Sequence, residues 1–439
     1  MEIELVSRET IKPSSPTPPH LRIYPFSFID NILVCVVPLI FFYNPNDNND
    51  QNSKISQLKK SLSLVLSKYY CFAGRFKDNI TIECNDQGVP LLVTKIKNKL
   101  SEILQNPTEN LLNPLFPDEL QWTDTDKTAA LISIQINCFE CGGIAISICI
   151  SHKCGDAATL FNFMNDWSSI NKKLEEKEEG LLILPFSLLD GGTTIFSQKN
   201  LPIVPETVHM REKSVVCKRI VFQPSMIKFL KEMATSSSIH SPTRVQVVIA
   251  WIYKHVVSAM GLNLKTVPFS IAVDLRKRMI PPLSEKSVGN LIWFLTTFPD
   301  KEEMEVKDLV CKIKEGLSEF CNVCPKLFGG RDEDSLSSIH EFLKKITEPK
   351  TKKGTVINFT SWCNFPIYEA DFGWGKPTWV TTYRCSWKNL IILMDTSDRN
   401  GVVANVNLEE NVMAKFEHEV ELLQLASLNP TNVGQSSGL

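Results

Sequence analysis

Few residues of this chain have the types and spacing that chemistry requires, and the densest group is "SHKCGD" at residues 151–156. It holds His152, one of only seven histidines in 439 residues, with Cys154 two positions on and Asp156 four positions on. Histidine ionises nearest neutrality, so it can take a proton from an alcohol and return it within one turnover. The group follows the apolar run "GIAISICI" and precedes "AATLFNFMNDW", which reads as a helix. A strand exit of this kind can project a side chain into a cleft instead of a core. Asp156 has two readings: a partner of His152, or an N-cap whose oxygen satisfies the free amides of the helix after it. Cys154 could be a nucleophile beside a histidine. Alternate positions in a tight turn rarely face one another, however, so packing is the better reading for the thiol.

A second group, "DFGWG" at Asp371 to Gly375, lacks the lysine, hydroxyl and following helix of a phosphate cradle. Its composition is that of a scaffold. Gly373 and Gly375 allow a sharp bend, Phe372 and Trp374 can anchor it, and Asp371 needs a partner if buried, with Arg276 and Arg278 of "VDLRKRM" as candidates. Cys138 with Cys141, and Cys321 with Cys324, look like two halves of a zinc site. No histidines accompany either pair, so the expectation is no metal, with a zinc hydrolase a distant alternative.

The elements that must position these residues are α and β mixed. "SKISQLKKSLSLVLSKYYCFAG" places Ile55, Leu58, Leu62, Val65, Leu66 and Tyr69 at helical spacing, with Gly74 as its stop. "FSFIDNILVCVVPLIFFY" reads as strand, "NITIECNDQGVPLLVTKI" as a hairpin turning at "NDQG", and "AALISIQINCFECGGIAISICISH" as a pair of strands around "CGG". After an irregular crossover, "KRIVFQ", "TVPFSIAVDLRKRM" and "NLIWFLTTFP" read as strands, "PSMIKFLKEMATSSS" and "TRVQVVIAWIYKHVVSAM" as helices, and "LIILMDTS" with "GVVANVNL" as a strand pair. The acidic and lysine-rich region from Lys301 to Lys353 reads as solvated helices. The length implies about two domains. They are placed at residues 1–176 and 214–439, joined by a linker at 177–213, with a segment near 355–380 packing on the N-terminal sheet.

Composition narrows the function classes. Hydrophobic residues make up 43% and charged residues 22%, which excludes a disordered chain. A net charge of -2 with mixed signs gives no field for nucleic acid or an anionic membrane. The opening "MEIELVSRETIKPSSP" lacks a secretory pattern, and the run "NILVCVVPLIFFY" is too short to span a bilayer, which takes about 20 residues. The expectation is a cytoplasmic monomer whose 13 cysteines are mostly reduced. Sequons at Asn79 and Asn358 would then have no role.

Taken together, "SHKCGD" and the later "DFGWGKP" resemble the plant BAHD acyltransferase family, whose HxxxD and DFGWG motifs stand in this order. "YYCFAGR", "FECGG", "SVGN" and "FTSWCNFPIYEADFGWGKP" extend the likeness over essentially the whole chain, closest to the branch of vinorine synthase and salutaridinol acetyltransferase. The resemblance implies an α/β fold, of the α+β kind, resembling chloramphenicol acetyltransferase: two similar-sized domains, each a mixed β-sheet with helices, facing across a central channel. It implies transfer of an acyl group, most simply acetyl from acetyl-CoA, to a hydroxyl of a bulky alkaloid or terpenoid, with no permanently bound cofactor. His152 would be the general base. Asp156 would pair with Arg276 and support the His152 loop. Thr360 and Trp362 would line the centre and meet the developing oxyanion. Ser241, Thr243 and Arg244 would lie near CoA at a helix start, and Gly289 and Asn290 of "SVGN" would support the site. A longer or aromatic acyl group, a sugar ester or an amine are alternatives, as is a member that keeps the fold without catalysis.

Overall fold

The computed structural model describes residues 1–46, 50–117, 128–176, 215–236, 239–329, 337, 355–383 and 387–430. Its strands fall into three sheets. The first has the order β1-β6-β7-β8-β3-β13, from β1 (Ile3–Ile11), β6 (Val89–Ile96), β7 (Ile132–Phe139), β8 (Ile144–Ser151), β3 (Val36–Tyr43) and β13 (Trp379–Thr381). The second has the order β11-β10-β12-β14-β15-β9-β16, from β11 (Ile292–Thr297), β10 (Phe269–Asp274), β12 (Ile357–Ser361), β14 (Leu390–Asp395), β15 (Val402–Glu409), β9 (Val215–Phe222) and β16 (Ser427–Leu428). A small third sheet joins β2 (Ile23–Pro25), β5 (Thr81–Glu83) and β4 (Arg75–Asp78).

Both large sheets are mixed. In the first, β6 and β7 run parallel while β7 and β8 form an antiparallel pair around "CGG". In the second, β10, β12 and β14 run parallel, and β15 closes antiparallel on β14. β7 and β8 are buried along their whole length, which is why they read as continuous apolar runs and not as alternation. The helices Gln51–Lys68 and Ala157–Glu175 cover the first sheet, burying Leu58, Leu62, Val65 and Leu66 against Phe163 and Trp167. The helix Arg244–Ala259 covers the second and buries most of the side chains it carries.

Four expectations change. "FSFIDNILVCVVPLIFFY" is not one strand: Ser27 and Asp30 form a reciprocal capping box that starts the short helix Phe28–Ile32, and the strand begins only at Val36. "NITIECNDQGVPLLVTKI" is not a hairpin, because β5 pairs with β2 and β4 while β6 pairs with β1 and β7. Gly74 does not stop the long helix. That helix ends at Lys68, and Gly74 closes the 3-10 turn Tyr70–Ala73. The helix Val306–Gly329 is not simply solvated, since it buries Leu309, Val310 and Ile313 in the second core. The rest of the Lys301–Lys353 region, from 330 on with the exception of residue 337, lies outside the described residues, as does the 177–213 linker.

The chain does not divide between the sheets in simple sequence order. β13 follows β12 of the second sheet, yet its three residues pair with Ile40 to Phe42 of the first. The loop between β12 and β13 carries Asp371 to Gly375 onto the helix Ala157–Glu175, where Asn171 Nδ2 donates to the Phe372 carbonyl at 2.7 Å.

Candidate active site

β8 ends at Ser151 and runs into a 3-10 turn, His152–Cys154, before the helix that Asp156 caps. The His152 amide donates to the Cys35 carbonyl at 2.8 Å, which ties the turn to the chain entering β3. Gly155 is needed for space, since a Cβ there would lie 2.6 Å from Thr159 Cγ2.

The ring of His152 is oriented from outside its own segment. Asn290 Nδ2 donates to the His152 carbonyl at 2.6 Å and to Asp30 Oδ1 at 2.8 Å. With its amide nitrogen so committed, Asn290 presents Oδ1 to His152 Nδ1 at 2.9 Å. An amide oxygen can only accept, so Nδ1 carries the proton and Nε2 keeps its lone pair. Nε2 has no partner among the described residues. Burial pushes the His152 pKa down, against its own backbone carbonyl, Asp156 and Asn290, which favour the cation. The ring is therefore neutral near pH 7 and basic at Nε2.

Asp156 faces the other way. Its Oδ2 accepts from Arg276 at 2.7 Å and its Oδ1 at 3.0 Å, a bidentate pair, while Oδ1 also caps the helix through the Thr159 amide at 2.9 Å. Oδ2 takes a further bond from the Leu291 amide at 3.1 Å. Burial opposes the Asp156 charge, but Arg276 and these amides outweigh it and hold the carboxyl below its usual range. Arg276 is 1% exposed and also binds Asp274, at 3.0 Å, and the Ser287 carbonyl. Gly289, at φ +118°, exchanges bonds with the Thr159 hydroxyl through both its amide and its carbonyl. Gly289 and Asn290 therefore lock the turn and the ring in adjacent positions.

His152 opens onto a cavity of about 1010 Å3, its open mouth included, between the two large sheets. Thr360 and Trp362 line it, with Val36, Val37 and Pro38 of β3 across from Ala272, Phe294 and Ile392 of the second sheet. Most of the lining is apolar. Cys154 is buried in the first core, where its thiol is pushed well up by desolvation, a packing role. Ser241, Thr243 and Arg244 are not among the described lining residues. Thr243 spends its hydroxyl on the Gln246 amide as a helix cap, and Arg244 is paired with Asp395 at 2.8 Å. Among the described residues no group of three His, Cys, Asp or Glu side chains could hold a metal, and no helix is long and apolar enough to cross a membrane.

Asp371 stands apart from the cavity. Its Oδ1 accepts from the Gly373 and Gly375 amides, both at 2.9 Å, and its Oδ2 from Lys172 at 2.9 Å, not from Arg276 or Arg278, which bind around Asp274 instead. Phe372 and Trp374 stack on each other, and both meet Tyr43 edge-on. The residue that sequence reasoning missed is Asp30. It is fully buried, and desolvation raises its pKa to about 6 in spite of bonds from Asn290 and Ser27. The "SFID" capping box was the signal available for it.

Residues 1–423 match the model of the Transferase family. The chain belongs to this family, the BAHD acyltransferases. Among similar BAHD proteins, akuammiline synthase 1 from Alstonia scholaris is 36% identical over 97% of this chain and 98% of its own length. Stemmadenine O-acetyltransferase from Catharanthus roseus is 33% identical over 95% of this chain and 97% of its own. The crystal structure of vinorine synthase superposes with a TM-score of 0.82 at 32% identity, covering 98% of this chain and all of that one. This BAHD fold accounts for the two mixed sheets with the cavity between them.

Proposed function

We propose that this acyltransferase moves an acetyl group from acetyl-CoA to a hydroxyl of a bulky, largely apolar alkaloid or terpenoid, in one step within a ternary complex. The observation that carries the reading is the fixed tautomer of His152, which leaves Nε2 basic and facing the cavity. Nε2 takes the hydroxyl proton as the oxygen attacks the thioester carbonyl. The Thr360 hydroxyl, on the cavity wall, donates to the oxyanion of the tetrahedral intermediate. Collapse breaks the carbon–sulfur bond, and the thiolate leaves as a thiol by taking the proton from the imidazolium. The step balances without a covalent acyl-enzyme or a metal.

Two supports bear on the substrates. The apolar lining suits a hydrophobic acceptor, and relatives are named as acetyltransferases of stemmadenine and of a limonoid. One relative is named as an N-malonyltransferase, which raises the alternative of a different acyl group or an amine acceptor. A malonyl carboxylate needs a free cation, and the only lining cation among the described residues, Arg276, is held by Asp156 and Asp274. That favours an uncharged acyl group. CoA is assigned to the start of the helix Arg244–Ala259, with Thr243 and Arg244 shaping that end and Ser241 keeping a hydroxyl that no described residue engages. The working division is 1–176 and 214–439, amended so that residues 371–381 pack with the first unit. A cytoplasmic monomer completes the reading, in keeping with buried cysteines such as Cys71, Cys84 and Cys154 that are free thiols.

The test is a screen of acetyl-CoA against pooled plant alkaloid, triterpenoid and sugar-ester alcohols, read by mass gain, with His152→Ala beside the native protein. Loss of the base should lower kcat by about 10²-fold or more, with CoA binding and melting temperature unchanged. Retained turnover in that variant sinks the general-base role.

A further inference from the structure

The cavity face of the second sheet is a grid whose rows follow from strand register. Ser270 of β10 stands beside Thr296 of β11 and Asn358 of β12, and Asn358 stands beside Leu390 of β14. In the next row Ala272 stands beside Phe294 and Thr360, and Thr360 beside Ile392. Two residues separate the rows, a step of about 6–7 Å along the strands. Thr360 belongs to the reacting centre, so Ser270 and Asn358 form a polar pair one row away from it.

Both side chains line the cavity, and Ser270 is 6% exposed. Neither the Ser270 hydroxyl nor the Asn358 side-chain amide makes a hydrogen bond to a described residue. Their neighbours in the lining include Phe294, Leu390 and Ile392, which offer no partner. Facing the cavity, both groups are open to a ligand and give up no bond within the described protein to meet it.

We propose that Ser270 and Asn358 form a second subsite, which hydrogen-bonds an uncharged polar function of a bound substrate: an amide, a hydroxyl or a carbonyl. Serine and asparagine each donate and accept, and neither carries charge. The charged lining groups, Asp156, Asp274 and Arg276, are already bound to one another. The subsite therefore suits a neutral group that can both give and receive. Its spacing from Thr360 fits two sources, the amide nearest the thioester in the CoA arm or a second oxygen on the acceptor. This inference rests on the acyl-transfer reading for the choice of substrates, but not for the existence of the subsite.

The test uses Ser270→Ala, Asn358→Leu and the double variant of the full chain. The first arm is the melting temperature without ligand, which needs no turnover. Side chains reserved for a ligand can be removed with the melting temperature unchanged or raised. A clear fall in both single variants means they are bonded within the protein, and overturns the subsite. The second arm measures CoA binding by calorimetry and KM for acetyl-CoA and for an alcohol found by the screen. A rise of about tenfold in the alcohol KM alone assigns the acceptor oxygen. The same weakening for CoA and acetyl-CoA alone assigns the amide of the CoA arm. If every affinity and KM stays within twofold of the native protein, the subsite is wrong. A native protein that acylates nothing defeats the functional reading, and the melting and CoA arms still decide the subsite.

Discussion

At the scale of the residue, His152 depends on atoms that its own segment does not supply. Asn290 fixes Nδ1–H, and Asp30 with the His152 carbonyl fixes Asn290. The pH dependence follows from the two shifts in this chain. His152 must be neutral to act as base, and burial sets its pKa below the usual 6.5. Asp30 loses its proton at about 6, and only above that value does Asn290 donate to a full negative charge. Transfer should therefore fall as pH is lowered, with a midpoint below 6.5 and a limb steeper than one proton gives. Rates of kcat/KM from pH 4.5 to 8 check this, and a single-proton limb centred above 6.5 contradicts it. Stability has its own sign. Asp30 binds its proton more tightly folded than unfolded, so it disfavours the fold progressively as pH rises from about 4 to about 6. Asp156, held low, does the opposite: its contribution is present above the unfolded carboxyl pKa and is lost as pH falls through the lower folded one.

At the scale of the element, the strand-to-helix turn that presents His152 is held by Asp156 in three ways: as a helix cap, as an acceptor from the Leu291 amide and as the partner of buried Arg276. Asp156→Asn leaves the guanidinium short of charge in a site it cannot leave. Breaking a buried pair from one side costs about 3–5 kcal/mol. Urea unfolding should show a loss of that order, with rate lost in proportion to folded protein. Full stability with lost turnover would instead make Asp156 a direct partner of His152. Much of this element was legible in sequence, because an N-cap aspartate announces itself beside the helix it starts. Arg276 and Asn290 could be placed there only through the family likeness, since they reach the turn from the second half of the chain. Asp30 stayed hidden because "FSFIDN" is apolar enough to read as strand, and its capping box competes only locally with that signal. The failed "NDQG" hairpin has the same cause: turn chemistry says that the chain reverses, but strand partners are set by distant residues.

At the scale of the whole molecule, the second half of the chain does not stay with its own sheet. The loop after β12 crosses to the helix Ala157–Glu175, and β13 then adds to the edge of the first sheet beside β3. The wall carrying Thr360 is thereby joined to the half carrying His152. Asp371 closes this loop on itself through the Gly373 and Gly375 amides and anchors it through Lys172. Both glycines sit at positive φ, +107° and +103°, so the loop has little freedom to rebuild with other residues. Asp371→Ala removes the acceptor for two backbone amides and the partner of one lysine. The expected loss is about 1–3 kcal/mol, seen as a lower melting temperature and a smaller soluble yield. Activity should fall only with the folded fraction, because no atom of Asp371 lines the cavity. Specific activity per mole of folded enzyme, with KM for acetyl-CoA measured on the same preparation, separates the cases. A kcat that collapses while the melting temperature holds would place Asp371 in the chemistry, and the crossing loop would then be more than a staple between the two sheets.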